Sequence, residues 1–151
     1  MERVNKSLVT RVLLVALVIG IVLANGCVHI KRSTTKPQTQ TQIIEDITLE
    51  EASTLIQKNK DNPNFVILDV RTPQEFANEH IENAINLDYY SETFKDDLNS
   101  LDKEKTYLIY CRSGGRSKTG LDIVKELGFR EAYNMLGGIT QWKSKGMPIT
   151  K

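Results

Sequence analysis

The stretch Thr106-Tyr107-Leu108-Ile109-Tyr110-Cys111-Arg112-Ser113-Gly114-Gly115-Arg116-Ser117 decides how this chain is read. Its first five residues form an apolar, β-prone run. A glycine-bearing turn follows, and apolar residues at helical spacing (Leu121, Val124, Leu127) begin just after Ser117. Strand, tight loop and helix in immediate succession form the unit from which parallel sheets are built. The loop holds one thiol where the backbone must turn sharply. Gly114 and Gly115 let successive N–H groups face the sulfur. The following helix adds the positive end of its dipole, and Arg112 and Arg116 flank the turn. Each of these favours thiolate over thiol, the form a nucleophilic sulfur requires. A lone cysteine after a buried strand is otherwise just a small hydrophobe. Two arginines and two glycines within the next five positions set Cys111 apart from that class.

Outward from this unit the pattern repeats. Thr48-Leu49-Glu50-Glu51 is a capping box, with the Thr48 hydroxyl meeting an exposed helix N–H while Glu51 reaches back. It opens a helix expected to run to about Asn59. Pro63 marks a turn, and Phe65-Val66-Ile67-Leu68, ending in Asp69, reads as a strand buried on both faces. Thr72-Pro73-Gln74-Glu75 is a second capping box, with proline at the first helical position, where its missing N–H is harmless. That helix is short and ends near Glu79. Ala84-Ile85-Asn86-Leu87 reads as a further strand, and Ser91 as the cap of a helix to about Asn99. The helix from Ser117 closes at Leu127, where Gly128 suits a left-handed C-terminal position. Ala132 to Met135 is a last strand, and Gly138 to Lys145 a last helix with Trp142 facing inward. The expected class is α/β: a three-layer domain with a central parallel sheet and helices on both faces. In such sheets sites form beyond the carboxyl ends of the strands. Cys111 lies at one such end, Asp69 and Arg71 at another.

Composition narrows the function. The 151 residues are 40% hydrophobic and 26% charged, which fits one globular domain with additional segments. A net charge of +1 without a basic face argues against nucleic acid as a partner. The two cysteines, Cys27 and Cys111, sit in different contexts, so a disulfide scaffold is not indicated. His29 and His80 are far apart and offer no metal-ligand spacing.

Residues 1–26 read as a signal peptide or membrane anchor. Arg3, Lys6 and Arg11 precede an apolar run from Val12 to Ala24. Its 13 residues match a signal-peptide core and fall short of a spanning helix. The run ends in Leu23-Ala24-Asn25-Gly26-Cys27, which resembles the lipobox of prokaryotic lipoproteins. Gly26 and Cys27 fit that pattern, whereas Ala24 stands where leucine is usual. The resemblance implies lipidation at Cys27. The other reading is an uncleaved anchor extending to Ile30 and stopped by Lys31 and Arg32. Either reading tethers the domain to a membrane on its extracytoplasmic face. Residues 27–42, rich in Gln and Thr, read as a polar linker, which leaves 43–151 as the folded domain.

Three segments together resemble a known family. They are Asp69-Val70-Arg71-Thr72-Pro73-Gln74-Glu75-Phe76 running on through His80-Ile81-Glu82-Asn83-Ala84-Ile85-Asn86-Leu87, then the Cys111–Ser117 loop, then Gly137-Gly138-Ile139-Thr140-Gln141-Trp142. In this order and spacing the chain resembles the single-domain rhodaneses over about residues 43–150. Glu82-Asn83 stands where Pro-Gly is commoner in that family, and Asp88 where proline is frequent.

The resemblance implies a thiosulfate sulfurtransferase. Cys111 would take the outer sulfur of a small anionic donor as a persulfide and pass it to a thiol or cyanide acceptor. Arg112, Ser113, Gly114, Gly115 and Arg116 are the expected substrate-binding loop, with Arg116 the better placed cation and Arg112 free to point to solvent. Asp69, Arg71 and Ser117 are expected to support it. No metal or organic cofactor is implied. His80 belongs to the scaffold by the family pattern, because transfer through an ionised cysteine needs no general base. A phosphatase loop on the same fold has five residues between cysteine and arginine, but only four separate Cys111 from Arg116. A non-catalytic binding or sulfur-carrier module of this family usually lacks the cysteine, which is present here. A redox role lacks a second cysteine near the first.

Overall fold

The computed structural model describes residues 41–151. The targeting segment 1–26, Cys27 and all but the end of the linker lie outside the described residues. Among the described residues no helix is long and apolar enough to cross a membrane.

The elements alternate. Strand β1 spans Ile43–Ile47, helix α1 Leu49–Lys58, β2 Phe65–Asp69, α2 Pro73–Asn78 and β3 Ala84–Asn86. Helix α3 then spans Phe94–Asn99, β4 Thr106–Tyr110, α4 Gly115–Glu126, β5 Glu131–Met135 and α5 Gly138–Ser144. The five strands form one sheet in the order β1-β5-β4-β2-β3. Every pairing is parallel. This is the three-layer α/β architecture expected from the alternation.

Side-chain alternation along β4 divides the core in two. Tyr107, Ile109 and Cys111 face one side with Leu68, Phe94, Leu98, Leu121 and Val124, against α3 and α4. Leu108 and Tyr110 face the other with Ile67, Ala52, Ile139 and Trp142, against α1 and α5. Leu68, Leu108 and Ile109 are fully buried. Burial of each such side chain contributes on the order of 2 kcal/mol. The strand that delivers the thiol is thereby one of the most firmly held elements of the fold.

Both capping boxes form. Glu51 N–H donates to Thr48 Oγ1 at 3.2 Å, and Thr48 N–H to Glu51 Oε2 at 2.8 Å. Glu75 N–H donates to Thr72 Oγ1 at 3.3 Å, and Thr72 N–H to Glu75 Oε2 at 3.1 Å. Gly128 takes φ +83° after α4. The Phe129 N–H reaches back to the Val124 carbonyl at 3.2 Å, a Schellman closure that buries Phe129 edge-on against Tyr107.

Three boundaries differ from the sequence reading. Strand β1 has no counterpart in it: only its end is buried, and it exists through pairing with β5. Ser91 does not cap α3 directly. Its Oγ accepts the Thr93 N–H at 3.2 Å, and the helix begins after Thr93. Helix α4 begins at Gly115, two residues before Ser117, because Gly114 at φ +101° turns the chain straight into it. Its carbonyl accepts the Lys118 N–H at 3.0 Å. Gly115 and Arg116 therefore belong to the first helical turn, and the positive end of α4 sits closer to Cys111.

Candidate active site

Cys111 follows β4 directly and is 1% exposed. Its Sγ accepts the Gly114 N–H at 3.2 Å, an approach made possible by the left-handed turn at Gly114. The Ser117 hydroxyl lies 3.4 Å from Sγ and 3.1 Å from the Gly114 carbonyl oxygen. It has one hydrogen for two acceptors, and a negative sulfur draws it away from the carbonyl. Burial pushes the Cys111 pKa up. Hydrogen bonds from the Ser117 hydroxyl and from the Ser117, Ser113 and Gly114 N–H groups outweigh it, so the pKa is lowered overall. The loop favours the thiolate by donors rather than by solvent.

The outer side of the loop is fixed by the start of α5. Ile139 N–H donates to the Cys111 carbonyl at 2.9 Å and Thr140 N–H to the Arg112 carbonyl at 3.1 Å. Gly138, at φ +56°, lies so close that a Cβ there would stand 2.4 Å from the Cys111 carbonyl oxygen. These two N–H groups satisfy the carbonyls of the turn, leaving its own N–H groups free to face the sulfur.

Asp69 and Arg71 are buried and form a supporting clamp. Arg71 Nη2 donates to Asp69 Oδ2 at 2.6 Å and to the Glu79 carbonyl at 2.6 Å. Asn86 Nδ2 binds the carbonyls of both Asp69 and Arg71, at 2.9 and 2.8 Å. The Val70 N–H, between them, donates to the Tyr110 carbonyl at 2.9 Å. This ties the β2–α2 turn to the residue before the thiol. Neither Asp69 nor Arg71 bonds to Sγ. His80 also belongs to the scaffold: Nδ1 lies 3.0 Å from the Phe76 carbonyl and the ring stacks on Phe76.

The two loop arginines are unlike each other. Arg116 is held in a fork by Glu75, Nη1 to Oε2 at 2.8 Å and Nη2 to Oε1 at 2.9 Å. Its guanidinium also lies 5.5 Å from the centroid of the exposed Tyr90 ring. The hydrogen bonds from Arg116 hold the Glu75 carboxyl at about 2 despite partial burial, and Arg116 is raised in turn. Arg112 and Ser113 are exposed. Among the described residues Arg112 has no carboxylate partner. Glu75 is a residue that sequence reasoning assigned only to capping α2. No cluster of three or more metal-ligating side chains occurs among the described residues.

A buried, donor-cradled cysteine sulfur at the end of a central parallel strand is the arrangement that sulfur or acyl chemistry at cysteine uses. Residues 48–145 match the model of the rhodanese-like domain. The chain belongs to the rhodanese-like family. Among its relatives a sulfurtransferase of Allochromatium vinosum is 30% identical, over 66% of this chain and 91% of that protein. The thiosulfate sulfurtransferase GlpE of Coxiella burnetii is 35% identical, over 62% of this chain and 82% of its own. Among solved structures the rhodanese-like domain protein of Staphylococcus aureus superposes with a TM-score of 0.56 at 33% identity. The match covers 71% of this chain and 99% of that one. At the level of the family, this rhodanese-like chain is a sulfurtransferase-type enzyme.

Proposed function

We propose that this rhodanese-like domain transfers a sulfane sulfur from thiosulfate or a similar anionic donor to a thiol or cyanide, through a persulfide on Cys111. In the first step the Cys111 thiolate attacks the outer sulfur of thiosulfate. A sulfur–sulfur bond forms to Cys111, the donor's own sulfur–sulfur bond breaks, and its electron pair leaves on sulfite. In the second step the acceptor, cyanide for example, attacks the terminal sulfur of the persulfide. Thiocyanate departs and the thiolate is restored. Charge balances in both steps, no proton is transferred and no redox partner is needed.

The observation that carries this reading is the Sγ cradle. The Gly114 N–H at 3.2 Å and the Ser117 hydroxyl at 3.4 Å stabilise negative sulfur without reorganisation, and they suit a terminal persulfide as well as a thiolate. The test is thiocyanate formation from thiosulfate and cyanide. Cys111→Ser is expected to abolish it, and retained turnover would overturn the mechanism.

We further propose, on the sequence of residues 1–27, that the domain is tethered to a membrane and faces outward from the cytoplasm. Lipidation at Cys27 is one route and an uncleaved anchor the other. With lipidation, Cys27→Ala releases the protein from membranes or blocks its processing. Unchanged membrane attachment and length would favour the anchor.

A further inference from the structure

The cations around the loop are matched one by one to carboxylates, with one exception. Arg71 is paired with Asp69, Lys143 with Glu79, and Arg116 with Glu75. Beside the loop lies a cavity of about 360 Å³ lined in part by Arg71, Glu75, Glu79, Thr140, Lys143 and Arg112. Of its cations, Arg112 alone lacks a carboxylate among the described residues.

Glu75 is not free to leave Arg116. Its Oε2 accepts from the Thr72 N–H at 3.1 Å and the Thr72 hydroxyl at 3.2 Å while binding Arg116 Nη1. Pro73 at the start of α2 fixes the turn that presents it. The carboxylate is thus anchored in the helix cap and neutralises a guanidinium that springs from the catalytic loop. From several ångströms away, such a pair acts as a dipole, and its potential falls off faster than that of a bare cation. A dianion gains twice as much as a monoanion from a bare cation. Pairing that cation therefore removes twice as much from the dianion.

We propose that Glu75 is a specificity-determining residue. By neutralising Arg116 it leaves Arg112 as the uncommitted cation, and so cuts the advantage that dianions such as thiosulfate have over singly charged sulfane donors, thiosulfonates or organic persulfides. The proposal rests on the reading of Cys111 as the sulfur-accepting thiolate. With a thiosulfonate, the Cys111 thiolate bonds to the outer sulfur and the donor's sulfur–sulfur bond breaks. The electron pair leaves on a sulfinate, with no proton or redox partner involved.

Thiosulfate and methanethiosulfonate are nearly isosteric and differ by one charge, so the full-length protein can be assayed with both. Glu75→Gln keeps an acceptor for the Thr72 N–H but removes the charge. It should lower KM for thiosulfate about fivefold more than KM for methanethiosulfonate, as expected for one freed charge at short range in a partly screened site. It should change kcat by less. The change in donor ratio should vanish when Arg116→Gln is present as well, because the local charge is then neutral again. Equal changes for both donors, or no change, would overturn the proposal and leave Glu75 a helix cap. A second readout needs no turnover: protection of Cys111 from iodoacetamide by sulfate compared with methanesulfonate. Glu75→Gln should strengthen protection by sulfate selectively, and unselective protection would overturn the proposal. If neither donor yields thiocyanate with the wild type, the sulfur-transfer reading fails, and the charge preference is still decided by the protection assay.

Discussion

Gly138→Ala is the substitution for which the structure gives the most definite expectation. Gly138 adopts φ +56°, and an added Cβ would lie 2.4 Å from the Cys111 carbonyl oxygen and 2.7 Å from the carbonyl carbon of Arg112. Both are backbone atoms of the thiol loop, so no side chain can swing aside. Gly128 supplies the control, with φ +83° and nothing within 4 Å of its added Cβ. The left-handed conformation costs alanine about 1 kcal/mol at either site. At Gly138 the clash adds the penalty of an overpacked site, about 2 kcal/mol. The expected losses are therefore about 3 kcal/mol for Gly138→Ala and about 1 kcal/mol for Gly128→Ala. For a domain of this size the shifts in Tm are about 15 °C and about 5 °C. Urea denaturation gives the free energies, and the rate of Cys111 alkylation by iodoacetamide reports on the loop. Only Gly138→Ala should alter that rate, because the bonds from the Ile139 and Thr140 N–H groups to the loop must shift. Equal destabilisation by the two alanines, with unchanged alkylation in both, would refute the claim that α5 sets the shape of the loop.

Two further outcomes follow from the site. Ser117→Ala removes the hydroxyl 3.4 Å from Sγ. A hydrogen bond to a charged group is worth about 1.5 kcal/mol, so alkylation of Cys111 at neutral pH should slow about tenfold, and an unchanged rate would remove Ser117 from the cradle. The Arg116 fork holds Glu75 at about 2, below its ordinary 4.5. A carboxylate depressed in the folded state stabilises fully above its unfolded value and loses that contribution as pH falls through the folded one. Glu75→Gln should therefore flatten the loss of stability between pH 4.5 and about 2, as measured by denaturation across that window. An identical slope in both proteins would contradict the pairing.

What could be read in the sequence was local. The capping boxes at Thr48 and Thr72 involve residues three apart, so the residues alone specify them. The apolar run Thr106–Tyr110 had one reading as a buried strand, and it carries Cys111 to the expected sheet end. What escaped depends on contacts remote in sequence. Strand β1 alternates weakly, with Glu45 and Asp46 at its centre, and is defined by its register with β5. Helix α4 starts at a glycine, which leaves no capping side chain as a signal. The Glu75–Arg116 pair joins residues 41 apart, and the cap accounted for Glu75 so fully that nothing remained to point across the site. The sequence reading of Arg116 as the better placed cation was made without sight of that partner. The glycines of Gly137-Gly138 were visible as part of a family pattern, but the backbone Gly138 meets became clear only in three dimensions.

Whether Cys111 carries the sulfur is read from the intact mass of the full-length protein after thiosulfate treatment. The expected result is a gain of about 32 Da, one sulfur on Cys111, removed by cyanide and absent from Cys111→Ser. An adduct that persists in Cys111→Ser, or no adduct with thiosulfate or with methanethiosulfonate, would contradict it.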